Sequence, residues 1–354
     1  MDFGALVLAR IKEAGLARHA EERGFTHWWV GEGQMLFSEP YAYMALCATL
    51  TRSIRLGVGV TNPLTRIPPV TANAVATINT LAPGRVVLGL GTGNNAMRAM
   101  GMRPARLSEL REAILLCRQL LTGAQVEYTF DGRTRSIAML DPQGGWYNLN
   151  DPIPIYVAAG GPQVLELAGE LADGVIVTAA SEPLVRLARF YVQRGAERAG
   201  RQLSDIQFVA IGWFYLTRPG DSHEDLVRYG VGSGPISGAI TVADAAAQHP
   251  EIIDAELLRD MQRVTDSYRP SGDPRTRHLT AWRQYMKGLD PRHTDLITPR
   301  LVDAFCVTGS AAACLDRLRQ LHALGVDQFV ILPSAPANVV RDVEDFSRAV
   351  IERW

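Results

Sequence analysis

The stretch GVGVTNPLTRIPPVTANAVATINTLAPGRVVLGLGTG, from Gly57 to Gly93, determines the fold that we predict for this chain. A short apolar strand over residues 55–60 leads into a small polar loop, and a helix then opens at Pro68, where a missing backbone N–H costs nothing. A second buried strand follows over residues 86–90. The periodicity predicts that one face of the helix is buried, formed by Val70, Ala74, Ile78 and Leu81.

Small polar residues and glycines follow both of these strands. Thr61 and Asn62 come after the first strand, and Thr92 and Gly93 come after the second. Because a helix connects the two strands, they run parallel and deliver these residues to the same edge of the sheet. In parallel α/β folds that edge is where ligands bind. The sequence therefore predicts a ligand site at this edge.

The whole chain alternates predicted strands with helices. The eight strands that we predict span residues 3–8, 27–30, 55–60, 86–90, 153–158, 175–178, 206–217 and 327–332. Eight strand–helix pairs in order predict an α/β fold, a TIM (β/α)8 barrel. We predict a single domain over residues 1–354, with a hairpin excursion over about 124–150, where Asp131-Gly132 is flanked by β-type residues.

An insertion over about residues 218–300 precedes the last predicted strand. Two helical patterns lie in it, Ala243–Val264 and Thr280–Gly288. Insertions at the carboxyl-end loops of barrels commonly shape substrate pockets. A dimer surface or a loosely packed cap is the alternative, and the sequence does not choose between them.

Composition excludes several classes of protein. The net charge of −1 gives no field that would draw the chain to nucleic acid or to an anionic membrane, and no apolar run reaches the length of a membrane span. The first residues lack a basic segment followed by an apolar one, so we expect no secretory signal. The four cysteines form no C-x-x-C pair, which favours reduced core thiols in a cytoplasmic protein. The histidines show no metal-ligand spacing, so we expect no metal.

Two runs carry a resemblance to a known family. The T-N-P-x-T-R-x-P-P-V-T-A run at 61–72 and the P-G-R-V-x-L-G-x-G-T-G run at 83–93 resemble the luciferase-like family of hydride transferases and monooxygenases. They are most similar to its deazaflavin branch, which includes methylenetetrahydromethanopterin reductases and deazaflavin-dependent glucose-6-phosphate dehydrogenases. The resemblance covers roughly residues 1–215 and 300–354. It implies a luciferase-like TIM barrel, the coenzyme F-420, a small-molecule substrate and a homodimer.

The resemblance also implies which residues hold the coenzyme's ring. In this family a non-prolyl cis peptide forms a bulge behind the flavin ring, and Gly59-Val60 stands at that position. A plain glycine in a bending strand is the alternative. Thr61 and Asn62 follow, as the family pattern requires, and their hydroxyl and amide would reach ring heteroatoms.

A Gly-Gly-Pro turn follows the fifth predicted strand and opens a helix. Unpaired N–H groups and the helix dipole make such a junction a good anion site, although it is also an ordinary turn. The run resembles the family's A-G-G-P phosphate loop. By that resemblance Ala158, Ala159, Gly160 and Gly161 contact the phosphate and ribityl chain of the coenzyme, and Thr178 faces the same chain.

Two residues are candidates for chemistry, and both depart from the family pattern. Glu32 ends the second predicted strand, where a carboxylate between glycines is a catalytic or ligand-binding candidate, with a solvated loop acid as the alternative. Deazaflavin relatives often hold Asp followed by His there, and this histidine is missing. Asn94 stands where the sugar-phosphate dehydrogenases carry a proton-donating Glu. An amide has no titrating proton to give, so Glu32 is the best remaining acid. A Tyr or His from the insertion is the alternative, and His278 and His293 lie there.

Three functions remain open on the sequence. The leading hypothesis is an oxidoreductase that transfers a hydride between F-420 and an imine, enone, ketone or alcohol. An FMN-dependent monooxygenase on the same scaffold is the alternative, and a non-catalytic flavin-binding protein is the second alternative.

Overall fold

A computed structural model of the chain describes residues 1–267, 272–287, 289–333 and 335–354. Its strands are β1 (Asp2–Leu8), β2 (His27–Gly31), β3 (Arg55–Thr61), β4 (Val86–Leu90), β5 (Val126–Phe130), β6 (Arg133–Ile137), β7 (Ile155–Ala158), β8 (Gly174–Thr178), β9 (Gln207–Leu216), β10 (Cys306–Gly309) and β11 (Gln328–Ile331). Eight of them, β1, β2, β3, β4, β7, β8, β9 and β11, pair in parallel and in that order, and β11 closes the ring on β1. The predicted TIM barrel is thus confirmed.

Helices connect the strands on the outside of the barrel, as parallel pairing requires. They are α1 (Leu16–Glu22), α2 (Pro40–Leu50), α3 (Pro68–Leu81), α4 (Asn94–Ala99), α5 (Leu107–Leu121), α6 (Pro162–Leu171), α7 (Glu182–Arg198), α8 (His223–Asp225), α9 (Gly234–Ala246), α10 (Ala255–Ser267), α11 (Arg277–Lys287), α12 (Pro299–Phe305), α13 (Ala311–Ala323) and α14 (Val339–Ala349). A π-helix, Leu226–Val231, continues α8. Short 3-10 turns cover Ile11–Glu13, Leu203–Asp205, Pro291–Leu296, Pro336–Asn338 and Ile351–Arg353.

The barrel interior is packed with side chains in layers. A buried cluster fills its middle, formed by Leu6, Trp29, Val87, Tyr156, Ile176, Val209 and Val330. Above it, toward the carboxyl ends of the strands, lie Val60, Ala158, Ile211 and Leu332, which are only partly buried. These four side chains lie at the end of the barrel where barrel enzymes bind their ligands, and we call the space above them the cleft.

The register between β3 and β4 shifts between Val58 and Thr61, and the peptide bond Gly59-Val60 within this irregular stretch is cis. The cis bulge predicted for this dipeptide is therefore confirmed. At this bulge the Val60 side chain lies on the inner side of the barrel, above the buried cluster, whereas regular alternation along β3 would turn it outward.

The outer face of α3 differs from the prediction. Val70 and Leu81 are 45% and 46% exposed, whereas Val75, Ala76 and Ile78 are buried. The prediction was right for Ile78 and in part for Ala74, but wrong for Val70 and Leu81, because the helix packs through its small residues against β4 and the neighbouring helices.

The first part of the insertion packs closely on the barrel. A Cβ on Gly234 would lie 2.3 Å from the Trp213 ring, and one on Gly238 would lie 2.4 Å from the Phe305 ring. These glycines let α9 approach two aromatic side chains, so the loosely packed alternative does not describe this helix. Within the described part of the chain the insertion is mostly helical, and α11 lies beside α4.

Several elements of this region were mispredicted or missed. The helix predicted over Ala243–Val264 is wrong, since α9 ends at Ala246 and α10 begins at Ala255. Pro250 lies in the break and cannot donate the hydrogen bond that a continuous helix needs. Thr280–Gly288 falls on α11, except that Gly288 lies outside the described residues. The elements α4, α12 and β10 were not predicted, because each is a short segment. Of the helices described, none has the length and apolar character that crossing a bilayer requires.

Candidate functional site

The predicted site residues lie on five strands that are neighbours in the barrel: β2, β3, β4, β7 and β8. In that order the carboxyl ends carry Glu32, then Thr61 and Asn62, then Thr92 and Gly93, then Ala158 to Gly161, and then Thr178. Adjacent strands are spaced by about 4.8 Å, so this arc runs for about 20 Å along the rim. Such an arc fits an elongated ligand lying over Val60 and Ala158.

Glu32 lies at the β2 end of the arc and is 7% exposed. Its Oε1 accepts hydrogen bonds from Gln34 Nε2 and, at 3.5 Å, from Thr65 Oγ1, while Oε2 is buried without a partner. Burial raises the pKa of the carboxyl, and the side chains of Thr61 and Gln34 oppose that rise. Glu32 is therefore a buried acid with one free oxygen, and the solvated loop alternative is excluded.

The loop after β3 is held by Asn62, which is fully buried. Its Oδ1 accepts from the backbone N–H groups of Leu64 and Thr65 at 3.0 Å, and its Nδ2 donates to Thr65 Oγ1 at 2.9 Å. This amide organises its own loop instead of reaching out to a ring. Thr61 is also fully buried, and its hydroxyl has no partner of good geometry.

Two residues near Glu32 were not predicted as site residues. Tyr41, in the first turn of α2, is 7% exposed, and its hydroxyl has no partner of good geometry. The Arg66 guanidinium lies 4.5 Å from the centre of the Tyr41 ring and binds Glu39 Oε1 at 2.6 Å. Arg66 belongs to the T-N-P-x-T-R motif, and this motif could have identified it as a site residue. Nothing local in the sequence marks Tyr41, because it reaches the site only through the packing of α2.

The loop after β4 begins the short helix α4. Gly93 is its N-cap with a φ of 75°, a left-handed conformation that suits glycine. Asn94 is exposed at the rim, and its Oδ1 accepts a hydrogen bond from Arg98 Nε at 2.9 Å. Thr92 is partly buried at the strand end and faces the same rim. Asn94 is thus placed at the border of the cleft and is tied to its own helix.

At the other end of the arc, Gly161 is the N-cap of α6, and no side chain caps this helix. A Cβ on Gly161 would meet nothing within 4 Å, so the approach to the helix N-terminus is open there. A Cβ on Gly160 would instead lie 2.5 Å from Thr241 Cγ2 on α9. Close packing of the insertion therefore explains the glycine at 160, whereas the space next to Gly161 is open. Thr178 lies partly buried at the end of β8 beside them.

The insertion also contacts the rim at Gly101, where a Cβ would lie 2.9 Å from the imidazole of His278 on α11. His278, one of the histidines of the insertion, therefore lies against the segment that follows α4. Among the described residues no cluster of three or more His, Cys, Asp or Glu side chains is placed to hold a metal ion. All four cysteines are free and buried, and burial raises the pKa of Cys47, Cys117 and Cys314 to about 12.

Comparison with known proteins gives consistent relatives. The chain is 29% identical over 324 residues to 5,10-methylenetetrahydromethanopterin reductase of Methanolobus tindarius, covering 90% of this chain and 89% of the relative. It is 37% identical over 223 residues to F-420-dependent glucose-6-phosphate dehydrogenase of Nocardia farcinica, covering 59% of this chain and 63% of that one. The solved structure of coenzyme F-420-dependent tetrahydromethanopterin reductase from Methanopyrus kandleri superimposes with a TM-score of 0.70 at 24% identity, over 99% of both chains.

These relatives are enzymes, reductases and dehydrogenases by name, and the solved structure shares the barrel described above. The family model of luciferase-like monooxygenases matches residues 6–328, which includes every residue of the arc. The resemblance seen in the two motif runs is thereby confirmed over nearly the whole chain. The chain belongs to the luciferase-like monooxygenase family.

Proposed function

We propose that this protein is an oxidoreductase that uses coenzyme F-420 and transfers a hydride between it and a small organic substrate. The substrate would be of the imine, enone, ketone or alcohol type. The observation that carries the proposal is the continuous arc over five neighbouring strands, which has a buried polar end at β2 and β3 and an open helix N-terminus at β7. A long coenzyme with a planar ring at one end and a phosphate at the other matches this division.

The residues of the arc fit the coenzyme in two groups. At the ring end Gly59, Val60, Thr61 and Asn62 would form the bulge and loop behind the ring, with Thr92 and Gly93 beside it. Unpartnered buried oxygens at Glu32 and Thr61 call for a ligand that supplies hydrogen bonds, since each buried polar atom without a partner costs about 1–3 kcal/mol. This end of the arc would therefore supply hydrogen-bonding groups to a polar ring edge.

At the phosphate end Ala158, Ala159, Gly160, Gly161 and Thr178 would line the chain of the coenzyme. The first turn of α6 presents backbone N–H groups that no side chain caps, and the helix dipole adds a partial positive charge. Gly161 leaves the space that a phosphate needs. The backbone rather than a cationic side chain would therefore hold the phosphate.

The coenzyme supplies or accepts the hydride when it is bound. The chain's own contribution is positioning and the proton that accompanies reduction. Glu32 is the acid that we assign to this proton, because it is buried at the ring end and has one oxygen free for a ligand. Asn94, exposed at the border of the cleft, would contribute a hydrogen bond to the substrate and no proton.

We also propose a homodimer in the cytoplasm. Three large apolar side chains on the adjacent helices α2 and α3 face outward: Leu46 is 42% exposed, Val70 45% and Leu81 46%. Exposed apolar side chains on neighbouring helices are candidates for an interaction surface. Val70→Glu should convert a dimer into a monomer in light-scattering measurements, and a wild-type monomer would contradict this part of the proposal.

The coenzyme assignment is tested by titration of the purified protein. Addition of F-420 should change the coenzyme's fluorescence with a saturable, stoichiometric response. Tight binding of FMN without affinity for F-420, together with oxygen consumption in the presence of reduced FMN and a substrate, would replace the proposal with a monooxygenase. Stoichiometric binding of F-420 without turnover over a broad panel of carbonyl and imine substrates would leave a binding protein.

A further inference from the structure

Three of the eight barrel strands carry no part of the arc described above, and they are neighbours: β9, β11 and β1. Ile211 on β9 pairs with Thr178 at one end of the arc, and Leu8 on β1 pairs with Gly31, next to Glu32, at the other end. The three strands therefore complete the rim of the cleft between the two ends of the arc.

The carboxyl ends of these three strands are apolar. They read LA at 8–9, IGWFYLT at 211–217 and ILP at 331–333, without a carboxylate, an ammonium or a guanidinium group. Ile211 and Leu332 are partly exposed and pack on the buried cluster inside the barrel. Leu8, also partly exposed, follows Leu6 of that cluster by two residues and so points to the same inner side. We call Leu8, Ile211 and Leu332 the apolar sector.

The insertion adds an aromatic wall on the β9 side of this sector. A Cβ on Gly234 would lie 2.3 Å from the Trp213 ring, and one on Gly230 would lie 2.6 Å from the Tyr215 ring. Both rings lie at alternate positions of β9 and extend its inner face outward. The Tyr215 hydroxyl donates to Asp221 Oδ2 at 3.1 Å, so its polar atom already has a partner.

The charged side chains that follow these strands are paired with opposite charges. The Arg341 guanidinium lies 5.8 Å from the centre of the Tyr215 ring, and its Nη2 binds Asp342 Oδ1 at 2.7 Å. Arg10, which follows β1, binds Glu13 Oε1 at 3.1 Å. An anionic substrate over the sector would have to compete with these carboxylates for a cation.

We infer that the substrate lies over the apolar sector and is an uncharged ketone, or the secondary alcohol formed from it, with a hydrocarbon chain beside the reacting carbon. The inference rests on the proposed function and names a substrate class for it. Because Leu8 pairs with Gly31, a chain on the sector brings its carbonyl group next to Glu32. A phosphate or carboxylate there would lose water without gaining a free cation. Each methylene, in contrast, gains by leaving water.

The reduction uses the groups already assigned. The carbonyl carbon receives a hydride from the reduced coenzyme, and the electron pair of the C=O π bond moves to the oxygen. The oxygen takes the proton that we assign to Glu32, and solvent returns a proton to this carboxylate after the product leaves. The ketone is thereby reduced to a secondary alcohol, and the coenzyme is oxidised.

Methyl ketones of increasing length test the substrate class. With reduced F-420, kcat/KM should rise about two- to fourfold for each methylene from acetone to 2-nonanone. In 4-oxopentanoate a carboxylate replaces the terminal ethyl group of 2-hexanone, and its kcat/KM should be about 100-fold lower than that of 2-hexanone. Equal values for acetone, 2-nonanone and 4-oxopentanoate would overturn the inference and leave the proposed function standing.

Leu332→Asn places an amide of similar size in the apolar sector. The ratio of kcat/KM for 2-nonanone to that for acetone should fall about tenfold. Ile211→Thr is a milder change in the same sector and should lower this ratio in the same direction, so it decides the question if circular dichroism shows that Leu332→Asn does not fold. Leu115→Asn is the matched control, because Leu115 is 42% exposed on the outer helix α5, and the ratio should stay at the wild-type value.

A second measurement needs no coenzyme. Isothermal titration of the apoprotein with 2-nonanone should show saturable binding in wild type and Leu115→Asn, and about tenfold weaker binding in Leu332→Asn. Such binding in a protein without affinity for F-420 would keep the apolar sector as a ligand site and reject the proposed function. Equal affinity in Leu332→Asn and wild type would overturn the inference, as would the absence of binding together with the absence of any ketone reduction.

Discussion

Gly160 and Thr241 are in contact across the boundary between barrel and insertion. A Cβ on Gly160 would lie 2.5 Å from Thr241 Cγ2 and 2.6 Å from the Thr241 carbonyl oxygen. Real Cβ atoms do not approach other atoms so closely, and a backbone carbonyl within a helix cannot turn aside as a flexible side chain does. The loop after β7 and helix α9 therefore pack closely against each other. The open N-terminus of α6 lies next to this contact.

Gly160→Ala should consequently act on stability. The added methyl group pushes against the backbone of α9, and overpacking of this kind typically costs 1–3 kcal/mol. Urea unfolding followed by circular dichroism measures the loss. Gly200→Ala is a reference for backbone strain alone. Gly200 has a φ of 68°, and no atom lies within 4 Å of the added Cβ, so the substitution creates no steric contact. Unchanged stability in Gly160→Ala would mean that α9 does not pack on this loop.

Gly161 should respond in the opposite way. Its φ of −95° suits any residue and the space around it is empty, so Gly161→Val should fold with a stability loss near 1 kcal/mol, the cost of a weaker N-cap. The side chain would occupy the approach to the first turn of α6 and weaken F-420 binding by tenfold or more. Fluorescence titration measures this, with Gly161→Ala as a smaller step in the same series. If Gly161→Val binds F-420 with wild-type affinity, the phosphate is not bound at this helix end.

Glu32→Gln separates chemistry from coenzyme binding. The amide preserves the shape of the carboxyl and removes its titrating proton, so turnover should fall by about 10²–10⁴ while F-420 affinity is largely kept. Glu22→Gln is the matched control, because Glu22 is exposed at the end of α1 that precedes β2, at the opposite end of the barrel from the arc. Unchanged turnover in Glu32→Gln would take this carboxyl out of the reaction.

The pH dependence of the wild type follows from the same group. Burial raises the pKa of Glu32, and the proton transfer that we propose requires its protonated form. Reductive turnover should therefore be full at low pH and decline as the pH rises through the pKa of Glu32, and this decline should disappear in Glu32→Gln. Initial rates measured over a series of buffers at constant ionic strength test the sign.

A second buried acid, Asp342 on α14, gives a prediction about stability alone. It is 3% exposed, one oxygen binds Arg341 Nη2 at 2.7 Å, and the other has no partner. Burial raises its pKa from 3.8 to about 6. The folded state thus binds the proton more tightly than the unfolded state, so stability present below pH 3.8 is lost as the pH rises through 6.

Asp342→Asn removes this dependence. Relative to wild type its free energy of unfolding should improve by about 2.4 kcal/mol between pH 4 and pH 8, since each pKa unit is worth about 1.4 kcal/mol and the unfolded Asp is already partly ionised at pH 4. The improvement is a difference between two pH values, so a constant loss of the Arg341 contact does not affect it. Urea unfolding of both proteins at several pH values measures it, and parallel curves would contradict the shifted pKa.

The features that the sequence predicted depend on residues that are close in the chain, and the features that it missed depend on contacts between distant segments. The barrel, the turn at Asp131-Gly132 and the cis bond at Gly59-Val60 depend on patterns within a few residues or on a motif that the family shares. The order of strands then places the arc on one rim without further information. These features were predictable because the residues that determine each of them lie close together in the sequence.

The contacts between distant segments were not predictable in this way. The close approach of Gly160 to Thr241 was not predicted, because Thr241 lies on a helix that no sequence motif indicates. Tyr41 and Arg66 meet near Glu32 only because α2 and the loop after β3 pack together. The exposed side of α3 was also misjudged, since which face is buried depends on neighbours and not on periodicity alone.

The closure of the ring has a consequence for synthesis of the protein. β11 lies between β9 and β1, and Asp2 near the start of the chain pairs with Gln328 near its end. On a ribosome, β1 and β9 would each wait with an unpaired edge until residue 331 has emerged. Unpaired edges are the sites at which nascent sheets aggregate or recruit chaperones. Pairing of β11 with both β9 and β1 therefore covers the two edges together.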